Sequence, residues 1–323
     1  MRWQLGISLG LVFVAVTSLP AADDNPAFTS AKEAGPEFAI QGEYKGSAGG
    51  DTWGAQVIAL GDGKFSLVGY AGGLPGDGWQ RGGETRKAEG EAKDGLATLK
   101  GDTFTVSIKD GVMSVIGEGG EKVGELKKTE RKSPTLEAKP PAGAKVLFDG
   151  STADNFENGK FVEDKLLGAN GCKSKLPVGD HMLHIEFRTP FMPKSRGQGR
   201  GNSGVHVQGR YEVQVLDSFG LEGKNNECGG IYVIAEPSVN MCLPPLAWQT
   251  YDIDFTAAKY DATGKKTENA RITIKHNGVV IHDHVDLKDG NPGADKEGPS
   301  KNGLYLQNHG NPVAFRNIWV VER

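Results

Sequence analysis

The chain has little that would link it to nucleic acid, to a bilayer core or to a metal. Its 37 Lys and Arg are outnumbered by 41 Asp and Glu, so the formal net charge is −4. No basic footprint for nucleic acid is therefore present. Beyond residue 22 no apolar run is long enough to span a bilayer, and neither a CxxC spacing nor a glycine-rich phosphate loop occurs. We expect a mature chain without a membrane span and without a nucleic-acid partner.

Cysteine is also scarce, with only Cys172, Cys228 and Cys242. In an oxidising compartment a single bridge leaves one of the three unpaired. We predict a Cys228–Cys242 disulfide, because these two flank the short segment CGGIYVIAEPSVNMC. Closing a loop of that size stabilises a fold by about 3 kcal/mol in the chain-entropy model. The other pairings stay open.

The N-terminal residues set the expected compartment. Arg2 gives a positive start, an apolar stretch runs from Leu5 to Leu19, and Pro20-Ala21-Ala22 offers a small-residue cleavage site. We predict a signal peptide over residues 1–22 and a periplasmic or secreted protein. An uncleaved N-terminal anchor is the alternative.

Composition divides the remainder into two β-rich units. Residues 127–143 are rich in charge and proline and lack apolar periodicity, which predicts a linker. Residues 23–126 hold short β-type runs between glycine turns and predict a small antiparallel sheet or barrel, to which no function is assigned. Residues 144–323 hold at least eight candidate strands and almost no amphipathic helix. This pattern predicts an all-β fold with a two-sheet jelly-roll sandwich.

The segment GNSGVHVQGRYEVQVLD, residues 201–217, is the most informative one. Polar and apolar residues alternate along two short strands, so His206, Gln208, Glu212 and Gln214 share one sheet face. A row containing an acid, an imidazole and two amides is suited to the floor of a polar ligand cleft. An ordinary half-buried antiparallel sheet shows the same alternation and is the competing interpretation.

Further acid–base candidates lie near this segment in sequence or pattern. Asp217 joins Glu212 and Gln214 if the strand bulges or ends, although an Asp that begins a turn usually satisfies backbone donors. In GLYLQNHG, residues 303–310, Gln307 and His309 alternate with apolar positions. A histidine there titrates near neutrality and is suited to act as a base or an electrophile.

Asp252 and Asp254 in YDIDF are the candidates for a cation site. Their alternation with apolar residues is most simply a solvated face. An oxygen-ligand cation such as Ca²⁺ is the alternative. No metal-ligating residue is assigned, and no cofactor is firmly implied.

An ordered series of motifs resembles the 3-keto-disaccharide hydrolase domain family. The series is VLFDGS near Asp149, NSGVHVQGRYEVQVLDSFG, CGGIY, NMCLPPLAWQTYDIDF, HNGVVIHD, LYLQNHG and FRNIWV. The resemblance covers roughly Lys145 to Arg323 and implies a concanavalin A-like jelly roll. The N-terminal unit lies outside it.

The resemblance implies cleavage of a glycosidic bond in a sugar that is oxidised to a ketone at carbon 3. The ketone acidifies the hydrogen on carbon 2, so a base can remove it and the anomeric substituent is expelled before water adds. We assign Glu212 as the base, Asp217 as an acid or orienting group, and His309 as the donor to the oxyanion or leaving group. The residues expected to hold sugar hydroxyls are Asn202, His206, Gln208, Gln214 and Gln307. A non-catalytic lectin-like carbohydrate-binding protein and a structural surface protein are the competing functions.

Overall fold

The computed structural model describes residues 25–323, so the predicted signal peptide lies outside the described residues. The described chain is almost entirely β, as predicted, with one short helix, α1 (Gly35–Ile40), and a 3₁₀ turn at Gly197–Gly199. Within this range no helix has the length and apolar character needed to cross a bilayer.

The N-terminal unit is a closed antiparallel barrel. Its eight strands follow one another around the wall in chain order, apart from a short excursion between the third and fourth of them. The strands are β1 (Gly42–Ala48), β2 (Asp51–Gly61), β3 (Lys64–Ala71), β4 (Leu74–Pro75), β5 (Gly78–Trp79), β6 (Thr85–Lys93), β7 (Leu96–Lys100), β8 (Phe104–Lys109), β9 (Val112–Gly117) and β10 (Lys122–Thr129), of which β4 and β5 form the excursion.

Strand periodicity explains the barrel wall. On β7, Ala97 and Leu99 are buried inside the barrel while Thr98 faces solvent, as a period of two requires. Asp110 and Gly111 both have positive φ between β8 and β9, which is the backbone of a tight hairpin turn.

The C-terminal unit is a sandwich of two antiparallel sheets, and the predicted sandwich is confirmed. The larger sheet has the order β13-β14-β25-β16-β19-β22-β23 with β11 beside β25, and the smaller has the order β12-β15-β24-β17-β18. The strands are β11 (Lys145–Phe148), β12 (Phe156–Glu157), β13 (Phe161–Val162), β14 (Leu166–Gly168), β15 (Cys172–Ser174), β16 (His181–Arg188), β17 (Ser203–Val207), β18 (Tyr211–Val215), β19 (Gln249–Thr256), β20 (Lys259–Tyr260), β21 (Lys266–Glu268), β22 (Ala270–His276), β23 (Val279–Leu287), β24 (Tyr305–Leu306) and β25 (Ala314–Glu322).

The sandwich core lies between the sheets and fixes which face of the smaller sheet is polar. Val205 and Val207 of β17 and Val213 of β18 are fully buried against the larger sheet, where Ile185 and Ile253 face them in the same apolar cluster. The alternate residues of β17 and β18 therefore lie on the opposite face.

The segment between the units, which includes the predicted linker 127–143, packs against the sandwich unit over part of its length. Strand β10 continues to Thr129. Beyond it, the Ser133 hydroxyl lies 2.6 Å from that of Thr250, and the Glu137 N–H donates to Glu186 Oε1 at 2.5 Å. Polar groups of this segment pair with those on the outer face of the larger sheet.

Candidate functional site

One cross-strand row of polar side chains runs across the whole smaller sheet. Directly paired positions on its five strands are Glu157, Lys173, Tyr305, His206 and Glu212, in that order. Paired residues on one sheet face have Cβ atoms roughly 5 Å apart. Five strands thus place an acid at each end of the row and a lysine, a phenol and an imidazole between them.

A cleft of about 290 Å³ opens over four residues of this row, from Glu157 to His206, and Glu212 lies at its buried end. Its floor includes Lys173, His206 and Tyr305, and its wall includes Gly293 and Asp295 from the loop before β24. The Lys173 ammonium lies 2.5 Å from the Asp295 carboxylate and ties that wall to the floor. The cleft is at the small end of the size range of ligand pockets.

Glu212 is a buried acid with an altered acidity. Its side chain is 4 % exposed, and burial raises the pKa of its carboxyl from 4.5 to about 7. The carboxylate occupies the space above Gly204, where a Cβ would lie 2.4 Å from Glu212 Oε1. The backbone is fixed by the Asn291 side chain, which accepts from the Glu212 N–H at 2.6 Å. A carboxyl that titrates near neutrality is suited to general-base catalysis.

His206 is the histidine beside this acid. Its Nε2 lies 3.7 Å from Glu212 Oε2, just beyond hydrogen-bond range, and its ring packs edge-on to Tyr305 at 5.1 Å. Neither ring nitrogen has a hydrogen-bond partner in the described chain. Burial lowers the pKa of His206 to about 4. The imidazole is therefore neutral at pH 7 and offers one donor and one acceptor.

Two amide side chains, those of Gln214 and Gln307, lie near Glu212 in the smaller sheet. Gln214 Nε2 donates to Asn202 Oδ1 at 3.0 Å, while Gln214 Oε1 is buried without a partner among residues 25–323. The backbone of Gln307 pairs with Gly204, and Gln307 Oε1 is likewise buried and unpartnered. Buried polar atoms are normally hydrogen-bonded. Gln214 lies two residues from Glu212 on β18, and Gln307 pairs through its backbone with Gly204, so both unpartnered oxygens are available to a polar ligand near this acid.

Gln208 differs from its predicted role. Its φ is +52°, so it lies in the turn between β17 and β18 rather than on the strand. Its amide donates to Val178 O at 2.7 Å and accepts from Arg210 at 3.0 Å. Both ends of the side chain are used to hold the turn, and the prediction that it binds sugar is not supported.

Asp217 is also engaged elsewhere. Its carboxylate pairs with Arg200 Nε at 2.6 Å, and both side chains are almost fully buried. Arg200 in turn donates to Ala59 O of the barrel at 3.3 Å. Asp217 therefore neutralises a buried cation at the boundary between the two units, which does not favour the predicted acid or orienting role.

His309 lies on an exposed stretch beyond β24. Among the described residues it forms no hydrogen bond or ion pair with Glu212. The alternation that placed it opposite the acid ends with the strand at Leu306. The residue that contacts the acid is His206, which the sequence prediction assigned to hydroxyl binding.

The predicted disulfide is absent, although the two residues chosen are neighbours. Cys228, Cys242 and Cys172 are all free and buried, and the Cys228 and Cys242 thiols contact each other. Cys228 Sγ lies 3.2 Å from the Tyr251 hydroxyl, and Cys242 Sγ lies 3.5 Å from the Leu216 carbonyl. Each thiol is thus a hydrogen-bonding group within the sandwich core.

Asp252 and Asp254 do not form a joint cation site. Asp252 contacts His184 Nδ1 and Thr135 Oγ1, each at 2.6 Å, and Asp254 contacts Arg323 at 2.5 Å. Both Asp252 oxygens and one Asp254 oxygen are thus paired with protein groups. Over residues 25–323, no group of three or more His, Cys, Asp or Glu side chains is arranged to hold a metal ion.

Lys173, Tyr305 and Gly204 are site residues that the sequence prediction did not select. Tyr305 alternates with Gln307 in GLYLQNHG, so the same periodicity identifies it. Lys173 lies on a strand of three residues, too short for a pattern to be visible. The sequence identified Gly204 only as part of a strand, because its role at the site depends on the position of the Glu212 side chain.

Comparisons with known proteins identify the family of the sandwich unit. The family model described as the 3-keto-alpha-glucoside-1,2-lyase-like domain matches residues 143–321, which confirms the resemblance found in the sequence. A protein of Parabacteroides distasonis ATCC 8503 assigned as a glycosyl hydrolase is 32% identical over 57% of this chain and 85% of its own, with a TM-score of 0.51. A second protein of that organism, with the same assignment, is 16% identical over 58% of this chain and 92% of its own, with a TM-score of 0.34. A search of curated proteins gave no significant match.

Proposed function

The chain belongs to the 3-keto-alpha-glucoside-1,2-lyase-like domain family, and on that basis we propose that its sandwich unit cleaves the glycosidic bond of 3-keto-disaccharides or 3-keto-glycosides. The coarser assignment is a carbohydrate-acting, glycosyl hydrolase-like domain. The finer one, the 3-keto substrate and its chemistry, is our proposal. We further propose that the protein acts outside the cytoplasm, on the strength of the signal-peptide pattern.

The proposed reaction begins with removal of the proton on carbon 2. The adjacent ketone makes this hydrogen acidic, and the electron pair of the broken C–H bond forms an enediolate. Collapse of the enediolate forms a double bond between carbons 1 and 2 and expels the anomeric oxygen, which takes up a proton. Water then adds across the double bond to give the free 3-keto sugar.

Glu212 is the proposed base. A general base is most effective when its pKa lies near the working pH, and burial raises the pKa of Glu212 to about 7. The neutral imidazole of His206, 3.7 Å away, is placed to exchange a hydrogen bond with a hydroxyl of the same ligand. It would donate a hydrogen bond to the leaving oxygen, and the proton that this oxygen takes up would be the one that the Glu212 carboxyl has removed from carbon 2.

Lys173 and Tyr305 are the proposed donors to the carbon-3 oxygen. Both line the cleft next to His206 in the cross-strand row. Fixed donors aimed at an oxygen that gains negative charge are a large source of rate enhancement. Gln214 and Gln307 would accept hydrogen bonds from sugar hydroxyls through their unpartnered oxygens.

One observation carries the proposal: a buried carboxyl of raised pKa lies beside a neutral imidazole that lines a cleft, and both imidazole nitrogens and two nearby amide oxygens lack partners among the described residues. Leaving such groups unpaired costs about 1–3 kcal/mol each. A polar ligand that pairs with them repays this cost. Perturbed titration together with a cleft is typical of an active site.

The test is release of a chromogenic group from a 3-keto-glucoside by the purified full chain. We expect turnover by wild type and a reduction of at least about a hundredfold in Glu212→Gln. Glu268→Gln, a matched change of an exposed glutamate, should keep full activity. A parallel reaction with chelator reports whether a cation participates.

Two results would contradict the proposal. Full activity in Glu212→Gln removes this residue from the mechanism. Saturable binding of the 3-keto-glucoside without any release by wild type would instead favour the lectin-like function, in which the same polar face only binds sugar.

A further inference from the structure

The N-terminal barrel has a cavity that the sandwich chemistry does not use. Its volume is about 380 Å³, and it opens at one end of the barrel. Its lining is mostly apolar and includes Trp53, Leu67, Phe104, Met113 and Val115. Eight-stranded barrels are just wide enough either to be filled by side chains or to hold one small ligand.

The opposite end of the barrel is plugged. Helix α1 covers the turn between β2 and β3, where Glu37 accepts from the Gly63 N–H at 2.6 Å. Phe38 packs edge-on against Phe191 of the sandwich unit at 5.4 Å, and Phe191 belongs to the barrel core. The interior is therefore filled from this end and empty only at the other.

Small residues at the open end explain the empty space. Ala48, Ala55 and Gly69 face the cavity from three successive strands of the wall. A Cβ added at Gly69 would meet neighbours only at 3.6–3.8 Å, which is ordinary contact. The backbone at Gly69 would therefore accept a larger side chain, and the barrel wall can form without a glycine at this position.

The rim favours a neutral ligand. The Arg86 guanidinium lies 5.1 Å above the Trp53 ring, and Arg86 is paired with Glu84 at 2.9 Å. Asp51 is the other charged residue of the lining. Charges of opposite sign at the rim give no preference for an anion or a cation, and the apolar interior lacks the convergent donors and acceptors that a sugar needs.

We propose that the open end of the barrel is a binding site for a small, uncharged apolar molecule with an aromatic or alkyl body. The body would fill the space between Leu67, Met113 and Val115, and its outer end would lie against Trp53 and Phe104. Such pockets usually bury most of the surface of a small ligand. The site is separate from the sandwich cleft and does not depend on the proposed reaction.

The test uses the neutral fluorophore N-phenyl-1-naphthylamine and the full chain. We expect saturable binding with fluorescence enhancement, and sensitised emission on tryptophan excitation that falls in Trp53→Phe. Gly69→Leu should fill the cavity and weaken binding at least about tenfold, which is about 1.4 kcal/mol. Thr98→Leu adds the same side chain to the outer face of the barrel and should bind as wild type does.

Several outcomes would overturn the proposal. These are the absence of saturable binding by wild type, equal affinity in Gly69→Leu and wild type, and displacement of the fluorophore by methyl glucoside. If circular dichroism shows that Gly69→Leu does not fold, the test rests on comparing the sensitised emission of wild type with that of Trp53→Phe. Emission unchanged in Trp53→Phe would place the fluorophore elsewhere and reject the site.

Discussion

Replacing the buried acid Glu212 by Gln should make the sandwich unit more stable at alkaline pH and leave it nearly unchanged at acid pH. Burial raises the pKa of Glu212 from 4.5 to about 7 in the folded protein. Between these values the folded state holds a proton that the unfolded state has released. The stability contributed by this group is therefore complete below pH 4.5 and is lost as the pH rises through about 7.

The size of the effect follows from the two pKa values. The gap between 4.5 and about 7 corresponds to about 3 kcal/mol in the free energy of unfolding, or about 6–12 °C in Tm for a domain of 150–250 residues. Between pH 4.5 and pH 8 wild type should lose this amount relative to Glu212→Gln. Burial lowers the pKa of His206 to about 4, so the imidazole stays neutral over most of this pH range and the difference between the two proteins reports the glutamate.

Denaturant unfolding at several pH values measures this difference directly. Circular dichroism and tryptophan fluorescence should be followed together, because the two units need not unfold in one step. Glu268→Gln, at an exposed carboxylate, is the control and should follow wild type at every pH. If Glu212→Gln and wild type change in parallel from pH 4.5 to pH 8, Glu212 has an ordinary pKa and the reasoning from burial is wrong.

Four further substitutions test the other residues that were assigned to the site. Gly204→Ala would place a methyl group on the carboxylate and should lower turnover of a 3-keto-glucoside by roughly a hundredfold with little change in circular dichroism; unchanged kinetics would mean that the carboxylate lies elsewhere. Asp217→Asn should cost about 3–5 kcal/mol of stability by leaving buried Arg200 unpaired, and a loss of turnover at unchanged stability would restore its predicted catalytic role. His206→Ala should reduce kcat/KM by roughly a hundredfold or more, and His309→Ala by much less; the reverse order would make His309 the catalytic histidine.

The sequence was sufficient for the fold class and for one face of the site. Alternation along residues 203–215 identifies which side chains leave the core, because this depends only on the strand period. His206, Glu212 and Gln214 were placed correctly on one face for that reason. The ordered motifs identified the family, since several short matches in a fixed order are far more specific than one.

The errors arose at turns, at the ends of strands and where a partner is contributed by another segment of the chain. The buried partner of Asp217 is Arg200, which is contributed by a loop that returns from the barrel side. Gln208 left the face because the turn requires a positive φ, and His309 lies beyond the end of its strand. The raised pKa of Glu212 depends on burial by loops that strand periodicity does not reveal.

Loss of the carbon-2 hydrogen is the most direct measure of the central claim. Methyl 3-keto-glucoside incubated in D₂O with the full chain should exchange or lose the carbon-2 proton signal in ¹H NMR at a rate that rises with pH around 7. Glu212→Gln should remove this signal at least about a hundredfold more slowly. Release of methanol with the carbon-2 hydrogen retained, or exchange at the wild-type rate in Glu212→Gln, would contradict proton abstraction by this residue.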